Sequence, residues 1–266
     1  MNNIPFTKYH GAGNDFILID DRDGQWGDKM NESWIAQVCH RRFGIGADGL
    51  ILLQKSNDGA DFFMKYYNSD GRQSTFCGNG GRCIVSFAAQ LGIHPGNCKF
   101  LGTDGWHTGS INEKGIVCLS MTDVNEITIL NSHTYTLYTG SPHYVTFVDE
   151  VESIDVQKEG RAIRNSSLFE KEGINVNFAQ IIGPTEIRIR TYERGVEDET
   201  MACGTGVVAS AIAFTFHTHS KAKKCTVITQ GGVLNVEFNQ EGKEDFTDIR
   251  LIGPAVEVFR GEVRLD

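Results

Sequence analysis

Two cysteines stand in one local pattern, Cys77-Gly78-Asn79-Gly80 and Cys203-Gly204-Thr205-Gly206. A thiol acts as a base or nucleophile only as its thiolate, and a helix N-terminus favours the thiolate through exposed backbone N–H groups and aligned peptide dipoles. Each pattern is followed by a short, largely apolar segment with small residues, so each cysteine reads as the start of a buried helix. The glycines keep the first-turn N–H groups uncovered, and a carboxylate could sit against them, which points to an amino-acid ligand. Inverting a stereocentre by proton transfer needs one group to remove a proton from one face and another to deliver one to the opposite face. A matched pair of cysteines supplies both.

The elements that must position this pair come from a repeat. The segment DFFMKYYNSDGRQSTF precedes the first cysteine and EIRIRTYERGVEDETMA the second; each is a β-rich run followed by a polar, glycine-containing loop. The repeated unit is strand, loop, cysteine, helix. The first helix should stop near Leu91, because Gly92 accepts the left-handed conformation and His94-Pro95 cannot easily continue it. Strands are predicted at 49–54, 116–121, 143–149, 186–192 and 225–238, the last interrupted by Gly231-Gly232, and 157–172 is a polar stretch open to helix or loop. A helix that is apolar all round must be covered on every side. The pattern therefore predicts an α/β (α+β) chain of two pseudo-symmetric strand-rich domains, each wrapped around a central buried helix, with the active site in the cleft between them. The boundary falls near 120–125, giving an N-terminal half, 1–120, and a C-terminal half, 121–254; the carboxy-terminal strand 255–266 could complete the first.

Bulk composition narrows the ligand class. The chain has 266 residues, with 34 acidic against 25 basic side chains and a net charge of -9, which repels nucleic acid and anionic membrane surfaces. Seven cysteines with no CxxC spacing make neither a disulfide framework nor a zinc ribbon, and reduced thiols fit the cytoplasm. No signal-peptide pattern and no apolar run approaching the ~20 residues of a membrane span is present, so neither secretion nor membrane insertion is expected. Cys203, His217, His219 and Cys225 do not match zinc-ligand spacing, and no metal is expected. HGAGND near the start is neither GxGxxG nor a P-loop. Cys39, Cys83, Cys98, Cys118 and Cys225 read as packing residues. His143, considered alone, reads as a structural histidine, and Glu193 and Arg194 as a surface pair. Glu193, however, lies in the loop leading to Cys203, where a carboxylate could take or return its proton.

The motifs resemble those of the diaminopimelate epimerase family along nearly the whole chain. KYHGAGNDFILID, RRFGIGADGLI, YYNSDG, CGNGGRC, GSPHYV, GINVNF and YERGVEDETMACGTG follow one another in that family's order. The resemblance implies interconversion of LL- and meso-2,6-diaminopimelate without pyridoxal phosphate or another cofactor, in the route to lysine and peptidoglycan, by a homodimer. Carried over by motif, it makes Cys77 and Cys203 the acid/base pair, with His143 assisting the first and Glu193 the second. It makes Asn14, Asn68, Gly78, Asn79, Asn175, Glu193, Arg194, Gly204 and Thr205 substrate-binding residues. Three departures stand out: Ser141 replaces the usual asparagine of the GSPH motif, Gly49 stands where some members have glutamine, and the loop before Met201 is one residue longer. Two other readings stand beside this one. A proline or hydroxyproline racemase shares two-cysteine chemistry, but those relatives resemble CGH at the first cysteine, where this chain has Asn79. A non-catalytic amino-acid-binding protein would need neither thiol. PhzF-like isomerases, a structural relative, lack the double cysteine.

Overall fold

A computed structural model of the chain describes residues 3–74 and 76–265. The fold divides into two compact units, Met1–Leu119 with Pro254–Asp266, and Ser120–Gly253.

The first unit opens with β1 (Asn3–Gly11) and β2 (Asn14–Asp20), an antiparallel hairpin. Helix α1 (Glu32–Cys39), capped by the Asn31 side chain on the Trp34 N–H, carries the chain back so that β3 (Gly49–Gln54) runs parallel to β2. β4 (Phe62–Asn68) returns antiparallel to β3. Helix α2 (Gly78–Gln90) crosses over to β5 (Asn97–Gly102), parallel to β4. β6 (Gly105–Ile111) and β7 (Ile116–Ser120) continue antiparallel, and the carboxy-terminal strand Val256–Arg264 pairs with β1. The unbroken apolar runs FILI and LILL arise because β2 and β3 are covered on both faces. Ile17, Ile19, Leu50 and Leu52 pack with Ile35 and Val38 of α1, while Phe16 and Ile51 meet α2 at Gly80, where a Cβ would stand 2.9 Å from Ile51 Cδ1. Gly81 faces the Phe76 ring at 2.5 Å in the same way. The helix is glycine-rich because its first turn is pressed against the sheet.

The second unit repeats this order. β8 (Ile127–Asn131) and β9 (Thr134–Tyr138) form a hairpin, and β9 pairs antiparallel with β10 (Pro142–Phe147). Helix α3 (Val156–Arg164) leads to β11 (Asn175–Gly183), parallel to β10. β12 (Glu186–Glu193) returns antiparallel and carries the short strand β13 (Asp198–Thr200) on its end. Helix α4 (Gly204–Thr218) crosses to β14 (Lys224–Thr229), parallel to β12, and β15 (Gly232–Gln240) and β16 (Phe246–Pro254) close the sheet antiparallel. Nearly every residue of α4 from Gly204 to Phe216 is buried, and strands β9 to β12, β14 and β15 surround it.

The mixed α/β class and the strand-wrapped helices agree with expectation. α2 ends at Gln90 with Leu91 as its cap and Gly92 at φ 72°. Gly231-Gly232 becomes the β14–β15 turn, with Gly232 at φ 136°. The open polar stretch resolves into α3, whose first turn is capped by the Asp155 carboxylate on the Lys158 N–H, followed by irregular chain. Among the described residues no helix is long and apolar enough to cross a membrane.

Candidate active site

In the first unit, topology gathers the expected residues at one end of the sheet. Asn14 begins β2, Asn68 ends β4 opposite Gly49, and Cys77 is the N-cap of α2 with extended backbone, φ -118° and ψ 119°. A Cβ at Gly49 would lie 2.5 Å from the Tyr67 carbonyl oxygen, so this chain has no room there for a glutamine without a backbone shift. The Cys77 thiol reaches Asn14 Oδ1 at 3.7 Å, and Asn79 Nδ2 donates to the same oxygen at 3.2 Å. Asn14 is oriented in turn by donating to Asp48 Oδ2 at 2.6 Å. Asp48 accepts from Arg41 at 2.6 Å, and Arg41 also grips both oxygens of Asp15 at 2.7 and 3.1 Å. Lys8 adds a 2.7 Å ion pair to Asp15 and a bond to the Gly46 carbonyl. Burial works against the Asp15 charge, yet the hydrogen bonds from Arg41 and Lys8 hold its carboxyl down at about 2. The loop 41–48 is thereby tied to β2. The Asn68 side chain is exposed where the strand ends.

In the second unit the same end of the sheet carries the other set. His143 lies near the start of β10, register-paired with Asn175 at the start of β11; Glu193 ends β12; and Cys203 is the N-cap of α4, φ -108° and ψ 113°. Cys203 Sγ lies 3.4 Å from Thr205 Oγ1, which is 2.9 Å from His143 Nε2. The Thr139 hydroxyl donates to the Thr205 carbonyl at 2.9 Å, bracing the first turn of α4. On the other side of the imidazole, Asn177 Nδ2 is 3.1 Å from Nδ1 and 3.0 Å from the Tyr144 carbonyl, while Asn177 Oδ1 accepts from Thr191 at 3.0 Å. An amide nitrogen can only donate, so Nδ1 accepts and the ring proton sits on Nε2, facing Thr205. His143 is fully buried, and burial, assisted by the Arg194 charge, pulls it down to about 3. It is a neutral donor at physiological pH. A Cβ on Gly206 would fall 2.4 Å from Asn177 Oδ1, which is why the second glycine of this motif is needed.

Asn175, Arg194 and Ser141 form one polar knot. Asn175 Oδ1 accepts from the Arg194 backbone N–H at 2.9 Å, and its Nδ2 donates to Ser141 Oγ at 2.9 Å and the Pro142 carbonyl at 3.1 Å. The Arg194 guanidinium donates to the Glu172 carbonyl at 2.8 Å and reaches Ser141 Oγ at 3.5 Å. Ser141, the departure in the GSPH motif, holds the knot together. Glu193 Oε2 accepts from Thr200 at 3.0 Å, and the longer loop folds as a tight hairpin in which Glu193 pairs with Asp198. Gly195 at φ 91° and Glu197 at φ 58° make that turn.

The ring nitrogens of His143 meet Asn177 and Thr205, and within its own unit the ring is linked through Thr205 to Cys203. Of the four residues weighed for zinc, Cys203 starts α4 and His217 lies in its last turn, about 21 Å along a helix at 1.5 Å per residue. Among the described residues no group of His, Cys, Asp and Glu could hold a metal ion. Asn177 and Arg82 escaped the sequence reading, although signals existed. Asn175 and Asn177 alternate on one strand, hence share a face, and Arg82 lies four positions from Gly78 on α2.

The diaminopimelate epimerase family model matches residues 6–124 and 135–258. A diaminopimelate epimerase from Flavobacterium psychrophilum is 51% identical over 252 residues, covering 95% of this chain and 97% of its own. One from Chlorobaculum tepidum is 40% identical, covering 96% and 99%. Among solved structures, a phenazine biosynthesis protein of the PhzF family from Bacillus anthracis shares the fold, with a TM-score of 0.77 at 14% identity over 99% of this chain and 100% of that one. The chain belongs to the diaminopimelate epimerase family.

Proposed function

We propose that this protein interconverts LL- and meso-2,6-diaminopimelate by proton transfer at the α-carbon, Cys77 and Cys203 alternating as base and acid. The observation that carries the reading is that each of two thiols caps a glycine-led helix within its own hydrogen-bonded set of side chains. One thiolate removes the α-proton and becomes a thiol. The carbon left with the electron pair takes a proton from the other thiol, on the opposite face, and that thiol becomes the thiolate. No redox change occurs, and the reverse reaction exchanges the roles. Backbone N–H groups of Gly78-Asn79 and Gly204-Thr205 would bind the α-carboxylate and the charge that develops beside it. Asn14, Asn68, Asn175, Glu193 and Arg194 would anchor the rest of the substrate. His143 would act on Cys203 through Thr205, and Glu193 would serve the same thiol. We also propose a cytoplasmic homodimer: thiol chemistry suits a reducing compartment, and Val256, Val258 and Phe259 leave apolar surface exposed on the carboxy-terminal strand.

The reduced protein should interconvert the two isomers in deuterated water and take up deuterium at the α-carbon, and Cys77→Ala and Cys203→Ala should each abolish inversion. Absence of exchange in fresh, reduced protein would sink the proposal. Run with proline, hydroxyproline and diaminopimelate side by side, the assay also decides the substrate class.

A further inference from the structure

Asn14 has to stand one way round to meet its neighbours. Its Oδ1 accepts from the Asn79 amide at 3.2 Å and from the Cys77 thiol at 3.7 Å, while its Nδ2 donates to Asp48 Oδ2 at 2.6 Å. Turned over, the amide would set its nitrogen against the Asn79 nitrogen and its oxygen against a carboxylate. The charged groups at the two ends of this chain each have a single sense. The Arg82 guanidinium, fully buried, can only donate, and it gives to Asn79 Oδ1 at 2.9 Å; the Asp48 carboxylate, ion-paired with Arg41, can only accept. Both amides are thereby fixed from outside, and the acceptor that Cys77 meets is chosen one residue further out.

Asp48 stands just ahead of β3, and its backbone is secured without its side chain. Its N–H donates to the Asp15 carbonyl at 2.9 Å and lies 3.1 Å from Asp15 Oδ1, and the next residue, Gly49, is in register with Phe16 on β2. Arg41 likewise has two bonds to Asp15 besides the one to Asp48. The carboxylate serves direction instead. Oδ1 takes Arg41 at 2.6 Å, which fixes its plane, and Oδ2 takes Asn14 together with the Asp15 N–H at 3.1 Å. We infer that Asp48 is a positioning residue that sets the sense of the Asn14 amide and, through it, the hydrogen-bond acceptor presented to Cys77. This rests on the reading of Cys77 and Asn14 as residues of the active site.

The test is a double-mutant cycle on the full chain with Asp48→Ala, Asn14→Ala and the two combined. In the deuterium-uptake assay with diaminopimelate, Asp48→Ala should lower kcat/KM about ten-fold and Asn14→Ala at least as far. The double variant should fall no further than Asn14→Ala, because the carboxylate then has no amide to aim. Iodoacetamide at pH 7, with Cys77 and Cys203 resolved by peptide mass spectrometry, reads the same coupling without substrate. A hydrogen bond from the neutral thiol opposes its ionisation, so Asp48→Ala should alkylate Cys77 about three-fold faster, with Cys203 unmoved, and the gain should disappear in the Asn14→Ala background. Asp48→Asn, equal in size but with one acceptor oxygen where two are in use, takes the place of Asp48→Ala in the cycle if that variant does not fold. Losses that multiply in the double variant, as a purely anchoring role in the loop 41–48 would give, overturn the inference, and so does a Cys77 alkylation rate left unchanged by the Asp48 substitution. If Cys77→Ala keeps epimerase activity while the alkylation coupling stands, the acid/base reading of Cys77 fails and the positioning of Asn14 survives.

Discussion

The Asn177 amide donates to Nδ1 of His143 and to the Tyr144 carbonyl while its oxygen accepts from Thr191, so turning the amide over would set two donors, or two acceptors, against each other. The imidazole is thereby held as the Nε2–H tautomer that points at Thr205. Asn177→Asp would put a carboxylate against Nδ1, draw the proton there and raise the histidine pKa. We expect kcat to fall about 10- to 100-fold with a smaller change in KM, and 15N spectra of the ring to show the tautomer shift. A histidine whose ring signals are the same in both proteins would contradict this. The neutral imidazole also has a cost in acid. The unfolded histidine takes a proton near 6.5 and the native one only near about 3, so between those values the unfolded state binds more protons and stability falls as pH falls. His143→Gln should flatten that part of the stability curve, as read by denaturant unfolding at pH 7, 5 and 4.

Elements enter through the turns that hold the side chains. The first turn of α4 runs against β11 at Gly206, and a methyl group there would collide with Asn177 Oδ1. Gly206→Ala should destabilise by about 1–3 kcal/mol and lower kcat along with it, since the displaced amide is the one that sets His143. The loop 41–48 depends on charge rather than packing. Asp15, with Lys8 and Arg41 around it, titrates at about 2 instead of 3.8. Its depressed pKa contributes stability that is complete above about 4 and lost as pH falls toward about 2, of order 2 kcal/mol. Asp15→Asn should therefore cost about that much at neutral pH, with a gap that narrows below pH 4. A constant gap across pH would argue that packing, not ionisation, matters at this position.

At the scale of the whole molecule, the two units repeat one plan: an antiparallel pair, a parallel crossover with a helix on one face, another antiparallel pair, and a second crossover through the central helix. Each copy brings the N-cap of its central helix to the sheet end where its polar residues collect. Under the proposed two-base reaction, one thiol from each copy would act on a single α-carbon. Mild oxidation should accordingly inactivate the enzyme with a peptide linking Cys77 to Cys203, and reductant should restore activity. Inactive oxidised protein without that linked peptide would count against the reading.

The sequence by itself determined the fold class, the two central helices, their cysteine N-caps and the repeat that relates them. These are local matters: an all-round apolar run needs cover, Gly-rich first turns permit close approach, and Gly92 and Gly232 accept backbone conformations that other residues resist. The asparagine anchors in β2 and β11 were legible only through family motifs, whereas Glu193 at the end of β12 stood out by its place before Cys203. What each thiol touches was decided by tertiary structure alone. His143 meets Thr205 across 62 positions of sequence, and Asn177 reaches it because β10 and β11 run parallel in one particular register. A residue's type and spacing carry no such information. The burial of Arg82, which no carboxylate pairs with among the described residues, is likewise a property of everything packed around α2.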